Sequence, residues 1–359
     1  MTNNQTPVQL ARIHTQANRY KSSSFMLPLA GLAVFFVLPL LNPSYFIIDL
    51  ATKVLVFGIF ACSFDVMVGY TGVLSFGHSM FFGFGAYSCA ILFRTMPESP
   101  VIAIILAVLC STILSTIIAA VMAFFSLRVV AMFFAMITLA FASFAEIIAI
   151  QFSEITGGED GITLQLPEYF KVTQNVVGWI TGQSLLYYFI LLACGLMLLL
   201  MLRLTQSPFG RVLKSIRENE DRSEALGYKT FHFRLFAVVI SCILASFSGI
   251  LFALWLGFVS PESTLSVTIT INVLIMVLIG GIGTVYGGII GAFVLQLFES
   301  GLPQLRVLAD ESLPQFPMLG ELTQKWHLVY GSLFVCIVIF FPFGIIGWVK
   351  LRQLKKQTA

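Results

Sequence analysis

GYTGVLSFGHSMFFGFGAY, residues 69–87, sets five glycines, a threonine, two serines and a histidine inside a run that is otherwise apolar enough for a bilayer. Glycine weakens a helix by about 1 kcal/mol relative to alanine, so an ordinary spanning helix has no use for so many. The rest of the chain decides which environment the stretch belongs to. Of 359 residues, 58% are hydrophobic and only 10% are charged, with 35 phenylalanines. Soluble domains carry about 25% charged residues, and this chain has too little polar surface for water. It reads as an all-α polytopic membrane protein. The net charge of +3 gives no reason to expect nucleic acid. All six cysteines, Cys62, Cys89, Cys110, Cys194, Cys242 and Cys336, fall in apolar segments and read as small core residues rather than disulfides or metal ligands.

With 18 to 20 apolar residues per crossing, about ten transmembrane helices are expected. They lie near 25–41, 47–68, 73–93, 100–125, 129–150, 184–202, 235–257, 265–281, 284–299 and 327–349. The third, eighth and ninth are the glycine-broken spans. A polar tail, 1–24, precedes a single membrane domain, 25–350, and a second tail, 351–359, follows it. The start lacks a small-residue cleavage site after its apolar run, so it reads as an uncleaved first span. With both termini cytoplasmic, only Lys53, Arg94, Lys171, Arg306 and Lys325 of the 20 basic residues fall outside, as the positive-inside rule requires. This orientation leaves an outer loop at 151–183 and one long inner loop at 204–233.

The inner loop holds the densest charge in the chain, SPFGRVLKSIRENEDRSEALGYKTFHFRL from Ser207 to Leu235. Pro208 opens it, Val212, Leu213 and Ile216 recur at helical spacing, and Gly227 stands where a helix would stop. One or two short amphipathic helices are expected, with an apolar side that a groove of a soluble partner could receive. The competing reading is a loop that only sets topology. Four acidic residues weigh against it, because they partly cancel the positive charge that sets orientation.

The run GRVLKSIRENE followed by EALG resembles the cytoplasmic loop of LivM-type permeases, the membrane subunits of ATP-driven (ABC) importers for branched-chain amino acids and relatives such as urea. The likeness extends to residues 69–87, to TGGEDGI at 156–162 and to GGIGTVYGGIIGA at 280–292, in the family's order. The resemblance implies a permease domain over 25–350 and a coupling role for Arg211, Ile216, Arg217, Glu218, Glu220, Glu224 and Gly227. It also implies partners: two ATP-binding subunits carrying ATP and Mg, a second homologous permease subunit and an extracytoplasmic solute-binding protein. The chain itself would carry no cofactor, and its home would be the bacterial inner membrane. Hydrophobic amino acids are the expected cargo, with urea or short amides as the alternative.

Glycine-interrupted segments in both halves of a transporter point to broken helices beside the substrate route. Gly69 and Gly72 share a three-residue step with Gly280 and Gly283. On this reading Gly72, Ser75, Gly77, His78, Gly85, Tyr87, Gly280, Gly281 and Gly283 line the path. Close helix packing is the competing reading. Gly283, Gly287 and Gly291 recur every four residues, as a packing stripe would, and packing is preferred for the same device in Ser241, Ala245, Gly249, Ala253 and Gly257, which has no polar chemistry beside it. Asp65 and Glu146 fall within expected spans, where a carboxylate is a functional candidate. Both also lie near span ends, where an interface would suffice. TGGEDGI contributes Gly157, Gly158, Glu159 and Asp160 to an outer mouth or binding-protein dock, or to a plain solvated turn.

No G-x-x-x-x-G-K-[ST], H-E-x-x-H or G-x-S-x-G run is present, so neither ATP binding by a P-loop nor hydrolytic catalysis is expected here. An ion-coupled secondary transporter, supported by Asp65, Glu146 and the broken spans, and a passive channel are the remaining alternatives to an ABC permease.

Overall fold

The computed structural model describes residues 31, 33–41, 44–128, 131–167, 170, 175–177, 180–312, 331–332 and 344–347. Two compact units make up the chain, Met1–Ile48 and Asp49–Ala359. In the first, a 3-10 turn occupies Leu38–Leu41. The long helices are α1 Tyr45–Thr71, α2 His78–Thr95, α3 Pro100–Ser126, α4 Ala131–Gln151, α5 Gly182–Gln206, α8 Thr230–Leu256, α9 Val267–Gly280 and α10 Val285–Ser312. Between α5 and α8 lie two short helices, α6 Pro208–Glu218 and α7 Glu220–Ala225.

Each expected span between 47 and 299 coincides with one of these helices. Six segments among the described residues are long and apolar enough to cross a membrane: Tyr45–Thr71, Pro100–Ser126, Met132–Gln151, Gly182–Gln206, Thr230–Leu256 and Pro261–Gly280. The expected count of ten is not confirmed among the described residues. In α2, His78, Arg94 and small polar residues dilute the apolar character, and in α10 the stretch Val285–Gly301 is apolar but shorter than the six. Of the expected span 25–41, residues 31 and 33–41 are described, and the expected span 327–349 lies largely outside the described residues.

α1 and α8 run antiparallel. The Trp255 indole N–H donates to Asp49 Oδ1 at 2.9 Å, and the Ser241 hydroxyl donates to the Ser63 carbonyl. Thus the end of one helix meets the start of the other. Each is followed by the same device. α1 stops at Gly72, which adopts φ +74°; six non-helical residues, 72–77, lead into the 18-residue α2. α8 stops at Gly257, at φ +67°; a non-helical stretch and one helical turn, Pro261–Thr264, lead into the 14-residue α9. A left-handed residue costs a side-chain-bearing amino acid about 1–2 kcal/mol, hence glycine at both stops.

The structural counterpart of the 72–77 break is therefore 257–266, and not the Gly280–Gly283 cluster that the shared glycine spacing suggests. Two antiparallel halves, each a long helix, a glycine stop and a shorter helix, form an inverted repeat. The first turns of the two shorter helices touch. The Ser79 amide donates to Thr270 Oγ1 at 3.0 Å, and the Ser79 hydroxyl donates to the Leu265 carbonyl at 3.0 Å. Thr270 precedes Gly280 by ten residues of helix, about 15 Å, which is half the thickness of a hydrocarbon layer of about 30 Å.

The core lies between α1, α2 and α8. Phe60 and Phe82 ring centroids are 4.6 Å apart, Phe82 and Phe252 5.2 Å, and Phe57 and Phe252 5.6 Å. Small residues set the helix spacing. A side chain on Gly249 would strike the Phe82 carbonyl, and one on Gly85 the Ser246 carbonyl, so the α8 stripe packs on α2 as its four-residue period predicts. On α3, Ala103, Ala107, Ser111, Ser115 and Ala119 are buried. Val101, Ile105, Leu109, Ile113 and Ile117 are exposed on other faces of that helix, the arrangement that lipid contact demands.

Candidate functional site

α6 opens with a Ser207 cap whose hydroxyl accepts the Gly210 amide at 3.4 Å, with Pro208 in its first turn. Asn219 then ends α6 and caps α7, its side-chain oxygen accepting the Arg222 amide at 2.9 Å. Gly227, at φ +89°, ends the motif where the sequence places a stop. The two helices are pinned to each other by Ser215 and Ser223 hydroxyls at 2.9 Å. Arg234 on α8 pairs with Glu220 at 2.6 Å, and the Thr230 hydroxyl donates to Glu224 at 2.7 Å. The charged loop is thus a folded bracket seated against the start of α8.

Its apolar side faces inward. Leu213 and Ile216 are each 1% exposed, so the surface expected to seat in a partner is covered by this chain. Arg211, Arg217, Glu218, Glu224 and Gly227 keep exposed positions, and Glu220 is half-buried. Two apolar residues nevertheless stand open beside Gly227, Leu226 at 68% and Tyr228 at 41%.

Arg217, in the last turn of α6, reaches from the bracket into the long helices. Its Nη1 donates to the Gly69 carbonyl, and a side chain on Gly72 would meet its Cγ at 3.3 Å. On the other side of the guanidinium lies Gly283, in the turn between α9 and α10, left-handed at φ +83°. The Gly283 amide donates to Asp65 Oδ1 at 2.7 Å. Gly69 has no room for a side chain because the Asp65 carboxylate and the Gly283 amide fill that place. The Lys214 ammonium adds a second tie, 4.9 Å from the Tyr70 ring centroid, a distance at which cation–π attraction operates. One basic helix end therefore touches both glycine clusters at the same point.

Asp65 is fully buried, and its Oδ2 has no hydrogen-bond partner among the described residues. Around it, α10 packs closely on α1 and α9. Cys62 Sγ donates to the Val285 carbonyl at 2.7 Å, and side chains on Gly280 and Gly291 would strike the Gly287 and Met276 carbonyls. Gly280, Gly287 and Gly291 serve close approach, whereas Gly281 and Gly283 serve the turn. Gly344 lies against Gly280 and Gly281.

The 72–77 break is satisfied by protein groups, as membrane depth requires. The Phe76 amide donates to Thr138 Oγ1 on α4 at 3.0 Å, and the Gly77 amide to Ser75 Oγ at 3.1 Å. His78 is fully buried, stacked on Phe60 at 5.4 Å, with Nε2 3.1 Å from the Ser63 hydroxyl. Its Nδ1 and the Tyr87 hydroxyl, both buried, lack partners among the described residues. Of the nine residues read as path-lining, Gly72, Gly281 and Gly283 gather at the loop end. Ser75, Gly77 and His78 gather at the first turn of α2, Tyr87 is buried farther along α2, and Gly85 and Gly280 stand at helix–helix contacts.

At the opposite end, TGGEDGI follows from a helical turn, Ser153–Thr156, which its left-handed Gly157 caps, and forms a 3-10 turn, Gly158–Asp160. A two-residue strand β1, Ile162–Thr163, pairs antiparallel with β2, Phe258–Val259, directly after the Gly257 stop. Glu159 and Asp160 are exposed. Glu146 lies close enough to Glu262, in the turn leading to α9, for their charges to interact. Nearby on α1, Asp49 and Lys53 pair at 2.8 Å. The pairing of Ser79 with Thr270 and the second break escape a reading by glycine spacing alone. The run Gly257 to Pro261, a glycine followed by Ser-Pro at a helix start, carries the signal for the break.

Residues 46–340 match the family described as branched-chain amino acid transport system, permease component. The chain is 29% identical to the high-affinity branched-chain amino acid transport system permease protein LivM of Salmonella typhimurium over 331 residues, covering 87% of this chain and 72% of that protein. It is 28% identical to LivM of Escherichia coli over 339 residues, with the same coverage. A probable LivM of Methanocaldococcus jannaschii is 23% identical, over 83% of this chain and 94% of its own length. No solved structure matches the chain.

Proposed function

The chain belongs to the family of branched-chain amino acid transport system permease components, and from that membership we propose that it imports branched-chain amino acids by following the motion of separate ATPase subunits through its 204–233 loop. It is a permease subunit of an importer and not an enzyme. The observation that carries the coupling role is the Arg217 contact: the charged bracket is mechanically joined to the Gly69–Gly72 and Gly281–Gly283 turns at one point. ATP-driven closure of the ATPase pair would pull the bracket, and those turns would pass the motion to α1, α9 and α10. Tilting of the long helices then exchanges outward- and inward-facing states.

Because Leu213 and Ile216 are used internally, the reading places the ATPase contact on Leu226 and Tyr228 and on the exposed charges around them. Two ATP-binding subunits, with ATP and Mg, complete the engine, and a second homologous permease subunit completes the membrane part. The loop end faces the cytoplasm of a bacterial plasma membrane, and both termini lie on that side. The Glu159–Asp160 turn then faces outward, where a solute-binding protein docks. The mostly apolar spans suit leucine, isoleucine and valine better than a strongly anionic solute.

Purification of the tagged permease from cells that express the whole importer tests the assignment. The ATPase subunits should co-purify with the natural chain and be lost with Leu226→Asp, at unchanged permease yield. Equal recovery of ATPase with both chains would remove the loop tip from the interface.

A further inference from the structure

The geometry points to Arg217 and Asp65 as a single two-position latch: the guanidinium rests on the Gly69 carbonyl in this state and passes to Asp65 Oδ2 when the bracket moves. This inference rests on the coupling role proposed for the loop and names the pair that executes it.

Asp65 is the reason to expect a second position. Oδ1 is taken by the Gly283 amide, while Oδ2 is buried and bare among the described residues. No cation lies within ion-pair distance of it among those residues. A buried carboxylate with an empty oxygen is costly, and an unsatisfied buried group calls for a state in which it is satisfied. Arg217 and Lys214 are the cations whose charge acts on Asp65. Lys214 is engaged over the Tyr70 ring. Arg217 has a fork of five N–H donors, and its Nη1 already sits on the carbonyl of Gly69, one helical turn along α1 from Asp65.

The stem supports such a movement. Arg217 Cγ lies over Gly72, where no side chain obstructs it, and Nη1 is flanked by Gly283, which also lacks one. Transfer of the guanidinium to the carboxylate would exchange a neutral acceptor for a charged one, and charge-assisted bonds are the stronger. It would also set the guanidinium and the Gly283 amide on the two oxygens of one carboxylate, which accepts both. The 281–284 turn, which joins α9 to α10, would then be tied to α6 through Asp65. A displacement of α6 thereby becomes a pull on the second glycine turn, which the Gly69 contact alone does not accomplish. Asp65 and Arg217 are positioning residues in this scheme, and neither needs to touch the solute.

The test uses the assembled importer in proteoliposomes with radiolabelled leucine, counting leucine imported per ATP hydrolysed. Asp65→Asn is isosteric and keeps an oxygen for the Gly283 amide but removes the charge. Arg217→Gln changes an exposed residue of α6 with little risk to folding. Each should lower leucine imported per ATP about tenfold, the loss of one charge-assisted hydrogen bond. The double variant should be no worse than either single one, the signature of residues that act as a unit. A purely structural role predicts wild-type coupling for Asp65→Asn, and that result overturns the latch. Losses that multiply in the double variant also overturn it. Wild-type uptake that continues without ATP overturns the importer reading and the latch together. Uptake that needs ATP, combined with normal coupling in Asp65→Asn, overturns the latch alone.

Discussion

At the residue scale, glycines that look alike in the sequence do opposite work. Gly249 and Gly69 have no space for a methyl group, the first because of the Phe82 carbonyl and the second because of Asp65 and Gly283. Gly249→Ala should cost about 1–3 kcal/mol, the usual penalty for overfilling a packed interface. The measurement is thermal unfolding of the purified protein in detergent. Gly301, inside α10 with nothing within 4 Å of the added methyl, should respond with the opposite sign. Gly301→Ala should raise stability by about 0.5–1 kcal/mol through helix propensity and a less flexible unfolded chain. The four-residue period makes Gly249 readable as packing from sequence. The role of Gly69 is not readable, because its obstruction needs the Gly283 amide, 214 positions away, beside the local Asp65 carboxylate. Asp65 is legible as an intramembrane carboxylate but not as the anchor of that turn, for the same reason.

At the scale of elements, the helices are the most legible feature: apolar runs place eight of them between residues 47 and 299, although not all are long and apolar enough to count as crossings. The α6–α7 bracket is legible too, with Ser207-Pro208 opening it, Asn219 dividing it and Gly227 closing it. Hidden from the sequence is the direction of its apolar side. An amphipathic helix announces that it buries one face, not whether the burying surface belongs to its own chain. The same limit applies to the repeat. Matching glycine spacings suggest that 69–72 pairs with 280–283, yet chain direction pairs 72–77 with 257–266. Two predictions belong here. Gly227→Ala has open space but left-handed backbone, so it should cost about 1–2 kcal/mol locally. Hydrogen exchange over Glu220–Tyr228 should rise without a change in the global unfolding temperature. Glu220→Ala removes the Arg234 pair, whose side chains are 20% and 41% exposed. Such a pair is worth under about 1 kcal/mol, so yield should hold while uptake per ATP falls as the bracket loosens from α8.

At the scale of the whole molecule, the two ends carry different chemistry. One gathers the bracket, Asp65 and the glycine turns; the other gathers the Gly157–Asp160 turn, the β1–β2 pair and the Asp49–Lys53–Trp255 cluster. If the second end receives a solute-binding protein, replacing Glu159 and Asp160 together by lysine should raise the leucine concentration for half-maximal uptake several-fold. Yield and ATPase recovery should stay unchanged, because both carboxylates are exposed. Rim charges of this kind act chiefly on association rate and salt dependence, so the defect should shrink as ionic strength rises. The central claim is that ATP hydrolysis on partner subunits drives the molecule through the loop end. Leucine uptake by cells depleted of ATP, with the ion gradient across the membrane held intact, tests it most directly. The account predicts that uptake stops; uptake continuing at the undepleted rate would contradict it.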